Sequence, residues 1–275
     1  MHEVHQDQAT AGRPIPIRFP AMPSPEILFL LFVLGTALAI SPVGREIDSF
    51  FHLRVITRAD GPVYWFFDEV LDRLSSQRIA GTTLVLTGGW FAVRRRTLTP
   101  LLIVGVAEAM FAATGVVKIV LGKSATRFQT PDWWDGGLLE HGKFSMAYPS
   151  GHATESVLLW GTVLVLLSLY GPVATRRRLA VGALVWRLII VNTVTVSWLM
   201  GRHWVSDLAA GLVVGALGLV LLVGLIERGV LHRLDQTVRD GLLMMTNVDP
   251  DTGRTISRPA LPYPESYRTW LRSDR

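Results

Sequence analysis

Six stretches of mostly apolar sequence set what this chain can fold into. They cover about 25–43, 77–93, 100–121, 152–170, 179–200 and 204–226. Each comes near the roughly 20 residues that a helix needs to cross the hydrocarbon of a bilayer. Lipid offers no hydrogen bonds to a bare backbone, so a stretch of this kind must satisfy its own, as a helix does. The expected fold class is therefore all-α, a polytopic membrane protein with six transmembrane helices. Charge content agrees. Only 18% of the 275 residues are charged, against about 25% in a typical soluble domain.

The rest of the chain frames this unit. Residues 1–24 are polar and Pro-rich and read as a cytoplasmic arm, and 25–226 form the membrane domain. Residues 227–275 form a polar cytoplasmic tail that opens with a short amphipathic stretch, 230–245. Between the first two spans, residues 44–76 mix Phe50, Phe51, Trp65, Phe66 and Phe67 with Asp68, Glu69, Asp72 and Arg73. That pattern suits an amphipathic helix lying in the interface. Ala37-Leu38-Ala39 resembles a signal-peptidase site. The first span is nonetheless expected to be retained, because the orientation below works with it in place.

Two loops carry three consecutive arginines each, Arg94–Arg96 and Arg176–Arg178. Short basic loops stay cytoplasmic. With six spans both termini are then cytoplasmic, and the loop 122–151 and the turn at 201–204 face the opposite side. The expected location is the plasma (inner) membrane, with the outward face periplasmic or extracellular. The chain has no cysteine, which excludes disulfides, thiolate chemistry and cysteine-ligated metals. Of 27 basic residues only Lys118, Lys123 and Lys143 are lysine, and all three fall in the segment that runs to Pro149. The expected partners are the bilayer and a lipid, with no nucleic acid and no cofactor. Oligomeric state leaves no signal in the sequence.

Chemistry is concentrated on the outward face. Pro149-Ser150-Gly151-His152 opens the fourth span, and Gly201-Arg202-His203-Trp204-Val205-Ser206-Asp207 opens the sixth. On a helix His203 and Asp207, four apart, share one face, where the carboxylate can fix the imidazole tautomer. Phosphate-ester cleavage needs a nucleophile, an acid for the leaving oxygen, and cations or N–H groups for the equatorial oxygens. His203 suits the first, oriented by Asp207, and His152 the second. Ser150 and the Gly151 amide stand at a helix start, where anions are favoured. Lys118, Lys123, Arg127 and Arg202 are the candidate cations.

These residues carry a resemblance. The chain is similar to the type 2 phosphatidic acid phosphatase superfamily, whose motifs are K-x6-R-P, P-S-G-H and S-R-x5-H-x3-D. Pro149–His152 match the second motif in full, His203 and Asp207 the end of the third, and Lys118 the start of the first, over about 100–215. The resemblance implies six helices, a phosphohistidine on His203 oriented by Asp207, His152 as general acid, and phosphate contacts from Lys118, Ser150 and the Gly151 amide. It implies no metal.

Two family arginines are missing. Their positions hold Ala125 and Ser197, with Val196 at the family serine. Arg127 follows two residues after the first gap. Arg202 follows the second, but on a helix it would point away from position 197. The expected activity is hydrolysis of a lipid phosphate or diphosphate, with polyprenyl diphosphate first and phosphatidic acid or phosphatidylglycerol phosphate next. The alternatives are a lipid phosphotransferase using the same site and a non-catalytic binding protein with a decayed one. A transporter finds no support in the span pattern, which shows no inverted pair of broken spans.

Three further expectations concern single residues. Glu108 and Arg187 lie at similar depth in the third and fifth spans, and buried ionisable groups pair, which predicts an ion pair unless Arg187 snorkels to the surface. Glu155 suits the helix N-terminus beside His152. Trp133 and Trp134 are expected to anchor their loop at the interface, while His52, His141 and His232 read as solvated or interfacial. His2 and His5 are too isolated for a metal site.

Overall fold

The computed structural model describes residues 22–134, 142, 146–171 and 176–246. Most of the N-terminal arm, the tail beyond 246, and Asp135, Gly136, Gly137, His141 and Lys143 lie outside the described residues, as do His2 and His5. Helix α1 spans Pro25–Ile40 and α2 Pro42–Phe50. Ser41 separates them. Its extended backbone ends α1 while its hydroxyl accepts from the Gly44 amide at 3.2 Å, and Pro42 takes the first helical position of α2, a place where its missing N–H costs nothing. The two axes meet at 83°, so the first apolar stretch is a corner rather than one straight rod.

The segment 44–76, expected as one interfacial helix, is broken into short pieces after α2. A 3-10 turn (Arg58–Asp60), a single helical turn α3 (Pro62–Trp65), a π-helical stretch (Phe66–Leu71) and a second 3-10 turn (Asp72–Ser75) follow one another. Its aromatics do face outward, with Phe50, Trp65 and Phe66 all exposed. Asp48, Asp72 and Ser75 turn inward instead, and the bundle holds the segment by its backbone. Trp160 Nε1 donates to the Leu74 carbonyl at 2.9 Å and Asn192 Nδ2 to the Leu71 carbonyl at 2.8 Å.

The bundle proper consists of α4 (Gln77–Arg95), α5 (Thr99–Leu121), α6 (Gly151–Tyr170), α7 (Arg176–Leu199) and α8 (Val205–Glu227), with α9 (Val230–Thr246) after it. Each lies within a few residues of its apolar stretch. Four of them, α5 to α8, are long and apolar enough to cross a membrane, and the bent α1–α2 pair makes up to five. Helix α4 has a similar length but carries Gln77, Arg78, Arg94 and Arg95 at its ends. Large apolar side chains such as Leu30, Leu86, Val116 and Leu188 point outward, as a surface in contact with acyl chains requires.

Helix α6 is the axis. It is buried along most of its length and packs against α4, α5, α7 and α8. It approaches α8 closely, where a Cβ on Gly215 would lie 2.8 Å from Val157 Cβ and 2.9 Å from the Thr154 carbonyl oxygen. In lipid, helices associate through such close backbone contact at small residues. At the opposite end Asp235 of α9 accepts from Thr97 Oγ1 at 2.5 Å, Thr99 Oγ1 at 2.9 Å and the Leu98 amide at 3.2 Å, pinning the α4–α5 turn.

The ion pair expected between Glu108 and Arg187 is absent. Glu108 Oε2 accepts from Gln77 Nε2 at 2.7 Å, so α5 is tied to α4, and Arg187 lies on the exposed face of α7. Replacing Gly215 by Val should force α6 and α8 apart. We expect a loss of about 1–3 kcal/mol, read as a lowered unfolding midpoint in detergent, with Gly89→Val, at an open position, close to the parent.

Candidate active site

The ends of α4, α5 and α6, the turn before α8 and the broken segment 66–75 line a cleft of about 760 Å³. Each wall has a local reason. Ser150 caps α6, its hydroxyl accepting from the Ala153 amide at 3.3 Å, and its own amide donates to the Asp207 carbonyl at 2.9 Å. This places Gly151 and His152 on the cleft wall, at the N-terminus of a helix whose first N–H groups are free to meet an anion. The peptide bond between Tyr148 and Pro149 is cis.

His203 stands across from His152. Its Nδ1 is 3.3 Å from Asp207 Oδ2, which leaves Nε2 for the cleft. Asp207 is completely buried. The same Oδ2 accepts from the Trp204 amide at 3.1 Å, so the carboxylate starts α8 and orients the imidazole together. Burial holds the pKa of His203 below the usual histidine value, against the opposing pull of Asp207. Lys118, at the end of α5, reaches the same cleft and donates to the Met146 carbonyl at 3.0 Å.

Arg202 also lines the cleft, and not from a helix. Helix α7 ends in a Schellman motif. The Gly201 amide donates to the Trp198 carbonyl and the Arg202 amide to the Ser197 carbonyl, both at 2.9 Å. Gly201 has φ +61°, and a Cβ there would stand 2.7 Å from the Leu53 carbonyl oxygen. The chain therefore doubles back and brings Arg202 near position 197, correcting the expectation that it points elsewhere. Its guanidinium pairs with Asp68 and Asp72.

Asp68 and Asp72 were not anticipated as part of the site. Asp72 is buried, with Oδ2 3.5 Å from His152 Nε2 and Oδ1 accepting from Ser197 Oγ at 3.4 Å. Burial pushes the Asp72 carboxyl up, with the nearby His152 pulling the other way. Their i,i+4 spacing puts both on one helical face, a signal the sequence did carry. Arg73, Gln77 and Arg78 complete the rim. Glu155, one turn beyond His152, is buried and lines the cleft rather than decorating a helix start.

Two expected phosphate ligands lie elsewhere. Lys123 is fully buried behind the cleft, where its ammonium donates to Asp207 Oδ1 at 2.8 Å, Asp48 Oδ2 at 2.7 Å and Ser206 Oγ at 2.6 Å. Three such partners leave it no hydrogen for a substrate. Arg127 is exposed on the 3-10 turn Thr126–Phe128, with its guanidinium 5.5 Å from the Phe128 ring, and is not among the cleft residues. Of the two loop tryptophans only Trp134 faces outward. Trp133 packs 5.0 Å from the Tyr148 ring, beside Lys123. His52 is likewise drawn inward, its ring 4.9 Å from that of Trp204.

No curated protein matches the chain. A family model described as the PAP2 superfamily matches residues 100–229. Among solved structures, the fold is similar to that of a transmembrane PAP2-type phosphatidylglycerolphosphate phosphatase from Bacillus subtilis. The TM-score is 0.60 and the identity 20%, over 75% of this chain and 98% of that one. Together with its long apolar helices, this makes the chain a multi-pass membrane protein. Residues 100–229, which carry the three motif segments, are thus the part of the chain that matches the PAP2 superfamily.

Proposed function

We propose that this protein is a membrane lipid phosphatase that cleaves a phosphate or diphosphate ester through a phosphohistidine on His203, without a metal. The observation that carries this reading is one cleft in which His203, held by Asp207, faces His152 and Lys118. His203 Nε2 attacks phosphorus as the bond to the leaving oxygen breaks, and His152 gives that oxygen its proton. Water then attacks the phosphohistidine and returns the proton to His152. Lys118, Arg202 and the α6 N-terminus steady the equatorial oxygens.

The reading includes six spans, with α1 and α4 as the first and second, cytoplasmic termini, and a cleft facing outward across the plasma membrane. A polyprenyl diphosphate is the favoured substrate. The outward face supports this choice, as do Arg73 and Arg78 at the rim, which offer charge for a second phosphate. Phosphatidic acid and phosphatidylglycerol phosphate come next. The Arg202 pairing with Asp68 and Asp72 is the observation that keeps a non-catalytic binding role in view.

Purified protein in EDTA should release phosphate from one of these lipids. His203→Ala should lose on the order of 10³-fold or more in kcat, and His152→Ala about 10²–10⁴-fold. No release by the parent from any of them would favour transfer or binding. Because burial lowers the pKa of His203, its imidazole stays unprotonated and nucleophilic into acid solution. The acid limb of the kcat/KM profile should therefore fall below the ordinary histidine value of 6.5. Orientation is testable directly, since the chain has no native cysteine. In intact cells an impermeant thiol reagent should label Trp134→Cys and spare Arg177→Cys.

A further inference from the structure

Behind the cleft, one buried cation joins two carboxylates. Lys123 Nζ contacts Asp207 Oδ1 at 2.8 Å and Asp48 Oδ2 at 2.7 Å, and all three side chains have no solvent exposure. Ser206 closes the cluster. Its hydroxyl bonds to both Lys123 and Asp48, and its amide donates to Asp48 Oδ1 at 2.9 Å. The ammonium is walled by the rings of Trp133, Tyr148 and Trp204, at 5.1, 5.6 and 5.9 Å.

The backbone around Lys123 is equally constrained. Its carbonyl accepts from the Ala147 amide at 3.1 Å, and the Ser124 amide donates to the Asp132 carbonyl at 2.8 Å. The three charged side chains are shut off from solvent, so their charges are hardly screened. Asp48 comes from α2, outside residues 100–229 that match the family.

We propose that Lys123, held by Asp48 and Ser206, is a positioning residue for the reaction: it fixes Asp207 so that the other carboxylate oxygen sets the tautomer of His203. This rests on the phosphatase reading for its consequence in rate, but not for its geometry. The carboxylate has two oxygens and two tasks. Oδ2 faces His203 Nδ1 and the Trp204 amide, and Oδ1 faces Lys123. Without the ammonium, Oδ1 loses its partner and two buried carboxylates are left together, so one of them takes up a proton. A protonated or rotated Asp207 no longer holds a proton on His203 Nδ1.

The alternative role for Lys123 is purely structural, neutralising Asp48 and Asp207 in the interior. The double variant Asp48→Asn/Lys123→Met separates the two. It removes one negative and one positive charge, so the net charge of the cluster equals that of the parent. We expect Lys123→Met to lower the unfolding midpoint in detergent and the added Asp48→Asn to recover most of it.

Activity should not recover. We expect kcat of the double variant to stay down on the order of 10- to 100-fold, the usual effect of removing a group that orients a functional side chain, with KM within about twofold. Recovery of kcat together with stability would overturn the proposal. Ser206→Ala, which deletes only a hydroxyl, serves as a second variant if the double one does not fold. A fall in its kcat with KM held supports the clamp, and parent kcat overturns it.

A readout independent of turnover keeps this distinct from the function itself. Nitrogen chemical shifts of 15N-histidine-labelled protein, with His203 assigned by its loss in His203→Ala, should show Nδ1 protonated and Nε2 bare in the parent. The double variant should show a mixture of tautomers. An unchanged pattern would remove the clamp even if the parent is an active phosphatase. The predicted change in a parent that cleaves none of the lipids would keep the clamp and remove the phosphatase reading.

Discussion

Asp207 is the residue on which the three motif segments converge. Through Oδ1 it holds Lys123 of the first, through its backbone carbonyl it receives the Ser150 amide of the second, and through Oδ2 it holds His203 of its own segment. A fully buried carboxylate is costly unless every lone pair is matched, and here each oxygen is. The segments come from helix ends far apart in sequence. Their common acceptor gives the cleft a fixed reference, around which the packing of α6 on α8 supplies the rigid frame.

The cations are arranged differently from the family pattern. Position 197, where the third motif carries arginine, is a buried serine touching Asp72. Arg202 reaches that same carboxylate from the turn after α7. A guanidinium is thus delivered to the cleft by a Schellman turn and a glycine instead of by a helix face. The other gap, at Ala125, has no such replacement from Arg127. Lys118, Arg73 and Arg78 are the cleft's remaining cations.

Much of the helical frame was legible because hydrophobic runs and their terminators are local signals. The bounds of α5, α6 and α8 follow directly from the apolar run and its flanking Thr, Ser or Gly. The pairing of His203 with Asp207 was legible for the same reason, since three residues separate them. Partners brought from elsewhere were not. Asp48, Asp68 and Asp72 sit in a stretch whose aromatics announce an interface, and nothing local says that its carboxylates turn inward. Lys123 was misread because a lysine in a phosphate-handling segment suggests a ligand, and only the fold reveals two carboxylates already waiting for it. Glu108 found Gln77 rather than Arg187 because neighbouring antiparallel helices offer nearer partners than depth alone suggests.

The pairing of Arg202 with Asp68 and Asp72 changes what an arriving anion encounters. The guanidinium is not an open socket, since its N–H groups already have carboxylate acceptors, and an incoming phosphate must compete with them. That competition subtracts alike from the affinity of every anion, product and reactant included, and so amounts to a uniform handicap in binding. A ligand with enough charge to draw Arg202 off its carboxylates leaves Asp72 with His152, 3.5 Å away, as its nearest basic neighbour.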